Sequence, residues 1–568
     1  MRLPRLWSLP LLAVPVVAAG SFSACSSDDE PAPPASTTAG TGGEGGSGGS
    51  GGAGGGLPDP TAVCEELALP MRAFSEGPYG IHRGEVADDF TVDLADGTQW
   101  NLRDRFSGCE SYVFVPDRIP VSDLDDTSVW ESEADLARLV EDSPRNVHWF
   151  FVSRHADAQA DASIQGMQAR IDALLATLDA TDAAHWKARL HVIAARAGDL
   201  DSWIGDAIST HGRIGFGIDR TQRVRGAGYL ADVSRYSSQL EGAGAWPWKS
   251  NLAYAAHEAQ YFNAQATIYE RLEAEEATVV PLFSGEILEE LEDTEIMLPS
   301  AAEMAAFDTL EIEVTMQCPD PEEIELGNCG AWDYIANLFV QDASLNFVEL
   351  ARFITTYHRE AHWVVDATPM LALLRDGGLR TFRWSFAPSW NTQPTATHLS
   401  LRFSNKAKGI TPTQATFLWS GGPFNAAYNT IHAPVDVPIP AAAQKVELWS
   451  IVTGHGAATS SCAEFCNHEH ELTINGAGYT REHPEAATEE GCIGQLDHGM
   501  TPNQAGTWWF GRGGWCPGQQ VEPWVVDVTT AVTPGETATV TYRGLLNGMD
   551  PPDNAGDIVF TSYLVVYE

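Results

Sequence analysis

Residues Met316–Asp342 read MQCPDPEEIELGNCGAWDYIANLFVQD, a strand end followed by a cysteine-bounded loop that leads to an aspartate. Upstream, Leu310, Ile312, Val314 and Met316 alternate with polar residues, the period of a strand with one buried face. The same period returns at Leu399-Leu401-Phe403, Val446-Leu448, Val540-Tyr542 and Ile558-Phe560, with Pro, Gly and Asn turns between. This texture persists from about Thr278 to the end, too much chain for one small sheet. Two packed β-sandwiches of jelly-roll type are expected, at 278–408 and 409–568.

Ahead of this region, between about Gly84 and Ser234, apolar runs at Tyr112–Val115 and Val147–Val152 alternate with a helical repeat of Ile164, Met167, Ile171, Leu174 and Leu178. Strands alternating with helices imply an α/β domain, placed at 58–236. Leu252, Ala255, Ala259, Phe262, Ala266 and Tyr269 then mark one amphipathic helix inside a helical connector at 237–277. The stretch ADDFTVDLADGTQWNLRDRFSG (87–108), the strand SYVFV after it and the later GFGIDRTQRVRGAGYL (215–230) together resemble a thioredoxin-like (redoxin) domain. Redox chemistry in that fold needs a cysteine after the first central strand, reacting as thiolate. That position reads PDRIPVSD (116–123) without a cysteine, and HGRIGFGID (211–219) lacks the customary proline. The α/β domain is therefore expected to be thioredoxin-like without redox cysteines.

At 568 residues and 44% apolar content, the chain has room for three cores. Its 33 Lys+Arg against 77 Asp+Glu give a net charge of −44, which repels phosphate backbones, so nucleic acid is excluded as a partner. Arg2 and Arg5 precede an apolar run from Trp7 to Ala19, too short to span a bilayer: the pattern of an export signal at 1–24. Phe22-Ser23-Ala24-Cys25 resembles a bacterial lipobox, with Phe22 where leucine is usual. That resemblance implies lipidation of Cys25 and membrane attachment through it; the alternative is an ordinary cleaved signal with a stray cysteine. The run GTGGEGGSGGSGGAGGG (40–56) cannot bury anything and reads as a flexible tether within 25–57. The expected location is a bacterial outer membrane or cell surface, or else the secreted fraction.

With Cys25 set aside, Cys64, Cys109, Cys318, Cys329, Cys462, Cys466, Cys492 and Cys516 remain. In an exported protein these default to four disulfides. Sequence neighbours pair as Cys64–Cys109, Cys318–Cys329, Cys462–Cys466 and Cys492–Cys516, although eight cysteines allow roughly a hundred connectivities.

The Met316–Asp342 stretch, with ARFITTYH (351–358), resembles the first half of the peptide-N-glycosidase F family; SCAEFCNHEHELTING (461–476) and GRGGWCPG (511–518) resemble its second half. The resemblance implies two eight-stranded jelly rolls side by side with a cleft between them. It also implies metal-free, cofactor-free hydrolysis of the amide joining the first N-acetylglucosamine of a glycan to asparagine, which becomes aspartate. N-glycoproteins or glycopeptides would be the partners. Hydrolysing an amide needs a carboxylate to activate water or deliver a proton, and donors for the developing oxyanion. Asp333 in CGAWD matches the family's principal catalytic acid, with Trp332 beside it as brace and substrate contact. Glu464 in CAEFC matches the second acid, aimed outward by the Cys462–Cys466 ring. Arg512 in GRGGWC matches an arginine near the pair, and His455 in TGHG and Trp390 in APSW match residues lining the sugar site.

Three positions depart from the family. Pro388 stands where it has a third glutamate, Tyr334 where an arginine follows the catalytic aspartate, and Phe465 where it has tryptophan. A glycan-binding surface lipoprotein that no longer hydrolyses therefore stays open as a rival reading. His468 and His470, two apart on an expected strand and so on one face, open a third, a copper-dependent monooxygenase. Copper-dependent peptide hydroxylases use a related double jelly roll. They need histidines in both halves, however, and the first half offers only the scattered His358, His362 and His398.

Overall fold

The structure, a computed structural model, describes residues 61–117, 130, 132–156, 158–211, 215–227, 256–325, 327–456, 461–504, 507–553 and 555–568. The export signal, Cys25, the Gly/Ser tether and the first part of the expected connector lie outside these residues. Among the described residues, no helix is long and apolar enough to cross a membrane.

After a small ribbon of β1 (Thr91–Asp93) and β2 (Gln99–Asn101), five strands form one mixed sheet: β3 (Ser111–Pro116), β4 (Val147–Val152), β5 (Leu190–Val192), β6 (Phe216–Ile218) and β7 (Val224–Gly226). Their order is β5-β4-β3-β6-β7, with β3, β4 and β5 parallel and β6 and β7 antiparallel. Every residue of β3 and β4 is buried, as unbroken apolar runs require when a sheet is covered on both faces. The helix Ala158–Leu175 turns Ile164, Met167 and Ile171 inward, the face its spacing predicts.

The helix Ala256–Ala274 does more than connect. Its Ala256, Ala259 and Phe262 enter the core of this sheet, and the Phe262 ring lies so close over Gly217 that a Cβ there would sit 2.5 Å from it. Glycine at that strand position is what lets the helix dock.

Sixteen strands make up the rest: β8 (Thr278–Leu288), β9 (Leu291–Ser300), β10 (Thr309–Gln317), β11 (Ile335–Gln341), β12 (Phe347–Ile354), β13 (Ala361–Asp366), β14 (Gly377–Ser385), β15 (Thr395–Ser404), β16 (Pro412–Pro423), β17 (Val435–Pro438), β18 (Lys445–His455), β19 (His468–Ile474), β20 (Ala477–Glu482), β21 (Trp524–Asp527), β22 (Thr537–Leu546) and β23 (Asp557–Tyr567). They form four antiparallel four-stranded sheets. In the first sandwich β13-β10-β15-β8 faces β12-β11-β14-β9; in the second β16-β23-β18-β21 faces β17-β22-β19-β20. Counted within each sandwich, both read 6-3-8-1 or its reverse against 5-4-7-2 or its reverse, the jelly-roll order. Leu310, Ile312 and Val314, with Leu399, Leu401 and Phe403, fill the first interior; Val446, Leu448, Val540, Tyr542, Ile558 and Phe560 fill the second.

Two features fix the sandwiches against each other. Arg352 on β12, wholly buried, forms a bidentate pair with Glu349 and donates to Thr453 Oγ1 and the Val559 carbonyl of the second sandwich, each at 2.7 Å. The segment before β21 then crosses over: Ile354 N donates to the Gln519 carbonyl, and Val521 N to that of Arg352. The same crossing segment packs Ile493, Leu496, Met500, Trp508 and Trp509 into the core of the N-terminal sheet.

Candidate active site

The four disulfides join Cys64–Cys109, Cys318–Cys329, Cys462–Cys466 and Cys492–Cys516, the sequence neighbours. Two of them frame the site.

Asp333 follows the loop closed by Cys318–Cys329, and the chain around it is pinned from β12's end. Thr355 Oγ1 donates to the Trp332 carbonyl at 2.6 Å, and Tyr334 N donates to Thr355 Oγ1 at 2.8 Å. Tyr357, two residues on, hydrogen-bonds the Asp333 carboxylate. Burial first, then the neighbouring Asp333 charge, pushes the Tyr357 phenol well up, so it stays protonated and donates. The Trp332 side chain is half exposed, and bracing therefore falls to Thr355 and Tyr357 rather than to Trp332.

Glu464 sits in the single helical turn Cys462–Phe465, whose ends the disulfide ties. Its backbone is held from both sides: Ala463 N donates to the Ala555 carbonyl and Gly513 N to the Glu464 carbonyl, both at 2.7 Å. Gly456 N donates to Glu464 Oε2 at 2.8 Å. A Cβ at Gly456 would lie 2.7 Å from that oxygen, so glycine is what admits the carboxylate to the backbone.

Arg512 bridges the two acids. Its Nη2 is 3.6 Å from Asp333 Oδ2 and its Nε 3.3 Å from Glu464 Oε1, while Nη1 donates to the Phe510 and Thr507 carbonyls at 2.7 and 3.1 Å. The guanidinium lies 4.9 Å from the Trp515 ring centroid. The cation is buried, whereas the two carboxylates keep 17% and 18% of their side-chain surface open. Burial raises the pKa of both acids; Arg512 pulls each back, with Tyr357 assisting at Asp333 and the Gly456 N–H at Glu464. The cluster carries two acids and one base, so one carboxyl holds a proton more readily than free carboxylates do.

His455 stacks on Trp515 at 4.9 Å and bonds Thr453 Oγ1, so it reaches the cluster through that indole. Burial, then the positive Arg352 and Arg512, pushes its pKa down to about 3, which makes it a neutral group. Trp390 is 79% exposed and packs edge-on against Tyr334 at 6.2 Å, and Asn391 Nδ2 donates to the Tyr334 hydroxyl at 2.7 Å. Tyr334, where the family arginine was expected, thus ties the Asp333 loop to the Trp390 loop. Pro388 brings no acid; its carbonyl accepts from Asn391 N.

Sequence reasoning missed Thr355 and Tyr357. Both stand in ARFITTYH, two apart and hence on one side of an extended chain, which was the available signal. His468 and His470 share a face as expected, but that face is the interior of the second sandwich, where both are fully buried. With His483 they are the one group of three metal-capable side chains among the described residues; His358, His362 and His398 belong to none. His362 instead bonds Gln265 and Glu313.

Comparison with known proteins gives a consistent picture for the β half. A family model described as "Peptide-N-glycosidase F, C terminal" matches residues 423–565. Peptide-N(4)-(N-acetyl-beta-D-glucosaminyl)asparagine amidase F of Elizabethkingia miricola is 24% identical over 268 residues, covering 43% of this chain and 69% of that protein. Similar solved structures include a peptide-N(4)-(N-acetyl-beta-D-glucosaminyl)asparagine amidase at 17% identity and TM-score 0.43, covering 52% of this chain and 96% of the other. Another is PNGase F, a glycosylasparaginase from Flavobacterium meningosepticum, at 16% identity and TM-score 0.40, covering 51% and 96%.

Proposed function

We propose, from the premise that the C-terminal half of this chain is peptide-N-glycosidase F-like, that the protein hydrolyses the amide between asparagine and the first N-acetylglucosamine of N-linked glycans. The observation that carries the reading is the bridging of Asp333 and Glu464 by one buried arginine, with both carboxylates still open to solvent. Asp333 takes a proton from a water whose oxygen attacks the asparagine Cγ, then delivers that proton to the departing nitrogen. The C–N bond breaks, aspartate remains on the peptide, and the sugar leaves as a glycosylamine. Glu464 holds the core sugar and orders the water, while Arg512 keeps the acids in register and offsets the charge on the carbonyl oxygen. Tyr357 assists Arg512 in favouring the charged form of Asp333 against burial, and the exposed faces of Trp332 and Trp390 suit the apolar face of a sugar ring.

The same proposal places the enzyme outside the cytoplasm, exported by 1–24 and anchored through Cys25, or else secreted. Residues 58–236 are read as thioredoxin-like but not redox-active. The sheet order β4-β3-β6-β7, parallel then antiparallel, supports that fold, and the described cysteines of this part, Cys64 and Cys109, are already joined to each other.

The test is incubation with a denatured N-glycopeptide, read by mass spectrometry at the asparagine. A gain of about one mass unit after glycan loss marks conversion to aspartate, and Asp333→Asn should abolish it while leaving binding intact. Pro388 favours a second reading, glycan binding without turnover; an intact but bound glycopeptide would select it.

A further inference from the structure

His468 and His470 project from one face of β19, and His483 follows the neighbouring strand β20. The antiparallel register pairs Glu469 with Glu482 and His470 with Arg481, so its continuation sets His483 beside His468. A His-x-His on one strand with a third histidine on the next is an arrangement that converges three imidazoles on one point.

The distances bear this out. Ring centroids are 4.8 Å apart for His468 and His470, 4.8 Å for His468 and His483, and 5.8 Å for His470 and His483. Three imidazoles on one tetrahedral ion at ordinary Zn–N lengths would hold their centroids about 5 Å apart. One ring nitrogen from each residue lies within 4.8 Å of the other two. The rings are tilted by 61–86°, not stacked.

The outer nitrogens are held as ligating histidines need. His470 Nδ1 pairs with the Tyr542 hydroxyl at 2.8 Å, which in turn meets the Tyr428 hydroxyl, and His483 Nδ1 faces Glu485 Oε1 at 3.5 Å. One inner nitrogen is not satisfied. His468 Nε2 turns away from the other two rings toward the Ala463 carbonyl, whereas His483 Nε2 is buried without a hydrogen bond, an arrangement a protein core rarely tolerates. A single internal contact, His468 Nδ1 to His470 Nε2 at 2.7 Å, would give way to an ion. Three glycines make room: a Cβ at Gly454 or Gly513 would lie 2.6 or 2.3 Å from His468 Nε2, and one at Gly514 2.8 Å from the His483 ring.

We propose that His468, His470 and His483 form a tri-histidine site for a divalent transition ion, Zn(II) foremost, inside the second sandwich. Neutral imidazoles select zinc, cobalt, nickel or copper over magnesium and calcium. The site is too deeply buried to meet a glycopeptide. Its place in the molecule is structural: a Cβ at Gly513 would touch both His468 Nε2 and the Ala463 carbonyl, and the residue after Ala463 is Glu464. The ion would stiffen the floor beneath the Glu464 turn without entering the reaction.

The experiment strips the full chain of metal, adds Zn(II) or Co(II), removes excess, and measures retained ion and the visible spectrum. One Zn(II) per chain, and the intense visible bands of tetrahedral Co(II), are expected, with both lost in His468→Gln and in His483→Gln. A wild-type chain that retains no ion, or an ion retained unchanged in both variants, overturns the site. Should the variants fail to fold, zinc-edge X-ray absorption of the wild type decides: three imidazole ligands support the proposal and fewer overturn it. Ion content is read independently of amide hydrolysis, so neither result depends on the activity.

Discussion

Arg512→Gln offers the sharpest probe of the acid pair, because the guanidinium is 1% exposed and lies 3.6 and 3.3 Å from the two carboxylates. At an effective dielectric of about 20, each contact is worth roughly 5 kcal/mol before desolvation, an upper bound. Partial solvent contact at the acids reduces this, and an opposed charge typically moves a carboxylate by about one to three pKa units. Removing one partner of a buried ion pair typically costs about 3–5 kcal/mol, and that is the loss expected for the arginine near neutral pH.

The sign with pH follows from burial. Both folded carboxyls already titrate above their unfolded values, so their contribution to stability is fully present below the unfolded pKa and is lost as pH rises through the folded one. Without Arg512 the folded values rise further and the loss deepens. The deficit of the variant should therefore be near its maximum at neutral pH and shrink toward the unfolded carboxylate pKa. Urea midpoints of wild type and Arg512→Gln at acidic and neutral pH measure it. In an Asp333→Asn/Glu464→Gln background the same substitution should become neutral or stabilising, since it then removes an unpaired buried cation. A deficit of equal size at both pH values and in both backgrounds would refute the reasoning, leaving Arg512 important only for its bonds to Thr507 and Phe510.

Tyr357→Phe removes a donor to a charged carboxylate, worth about 1.5–3 kcal/mol, so hydrolysis should fall roughly ten- to a hundredfold, with its acid limb moved to higher pH; kcat profiles against pH check this. Trp390→Ala, at a side chain 79% exposed, should change stability by less than about 0.5 kcal/mol while raising the KM for glycopeptide. Loop entropy makes Cys462→Ser/Cys466→Ser cost about 2 kcal/mol and Cys64→Ser/Cys109→Ser about 4 kcal/mol, given separations of 4 and 45 residues; thermal unfolding ranks them. Burial raises the Glu258 pKa to about 7, so the charge on that residue costs stability progressively as pH rises from its ordinary value of 4.5; Glu258→Gln should flatten stability over that window.

Alternation was a reliable guide to the β half because each strand there has one buried face, and a period of two cannot be mistaken over ten residues such as β15 or β22. The acid pair was legible only through the cysteine-bounded motifs around it. Asp333 and Glu464 stand 131 residues apart in the chain, and no local pattern says that Arg512 would reach both. Tyr357 escaped notice because its role depends on where β12 ends relative to the Asp333 loop, a matter of strand register between elements. The helix Ala256–Ala274 lies within the expected connector, but spacing alone does not reveal which core an apolar stripe enters, nor that His257, Glu258 and Gln265 would be buried beside it. Of the buried histidines, the His-x-His signal was visible, whereas His483 became relevant only once β19 and β20 were paired.

Those packing contacts give the N-terminal part a physical role that needs no redox chemistry. Arg512 is carried by the crossing segment, and that segment has few strand bonds of its own between Glu482 and Trp524. It is held by the Cys492–Cys516 disulfide and by a shared core in which Trp508 and Trp509 meet residues of β3, β4 and the helix Ala256–Ala274. A second tie lies beneath Tyr357. Arg359, buried, pairs with Glu258 of that helix and with Glu325, and donates to the carbonyls of Gly226 on β7 and Pro502 in the crossing segment. Glu258 also accepts from Asn503 Nδ2 at 3.2 Å, while Gln504 Oε1 accepts from Tyr357 N at 2.8 Å. One buried network therefore runs from the N-terminal sheet to the loop that carries Arg512 and to the residue that bonds Asp333. Since a site misplaced by about 1 Å loses much of its rate, the proposed hydrolysis should depend on these contacts of the α/β part as well as on the acid pair itself.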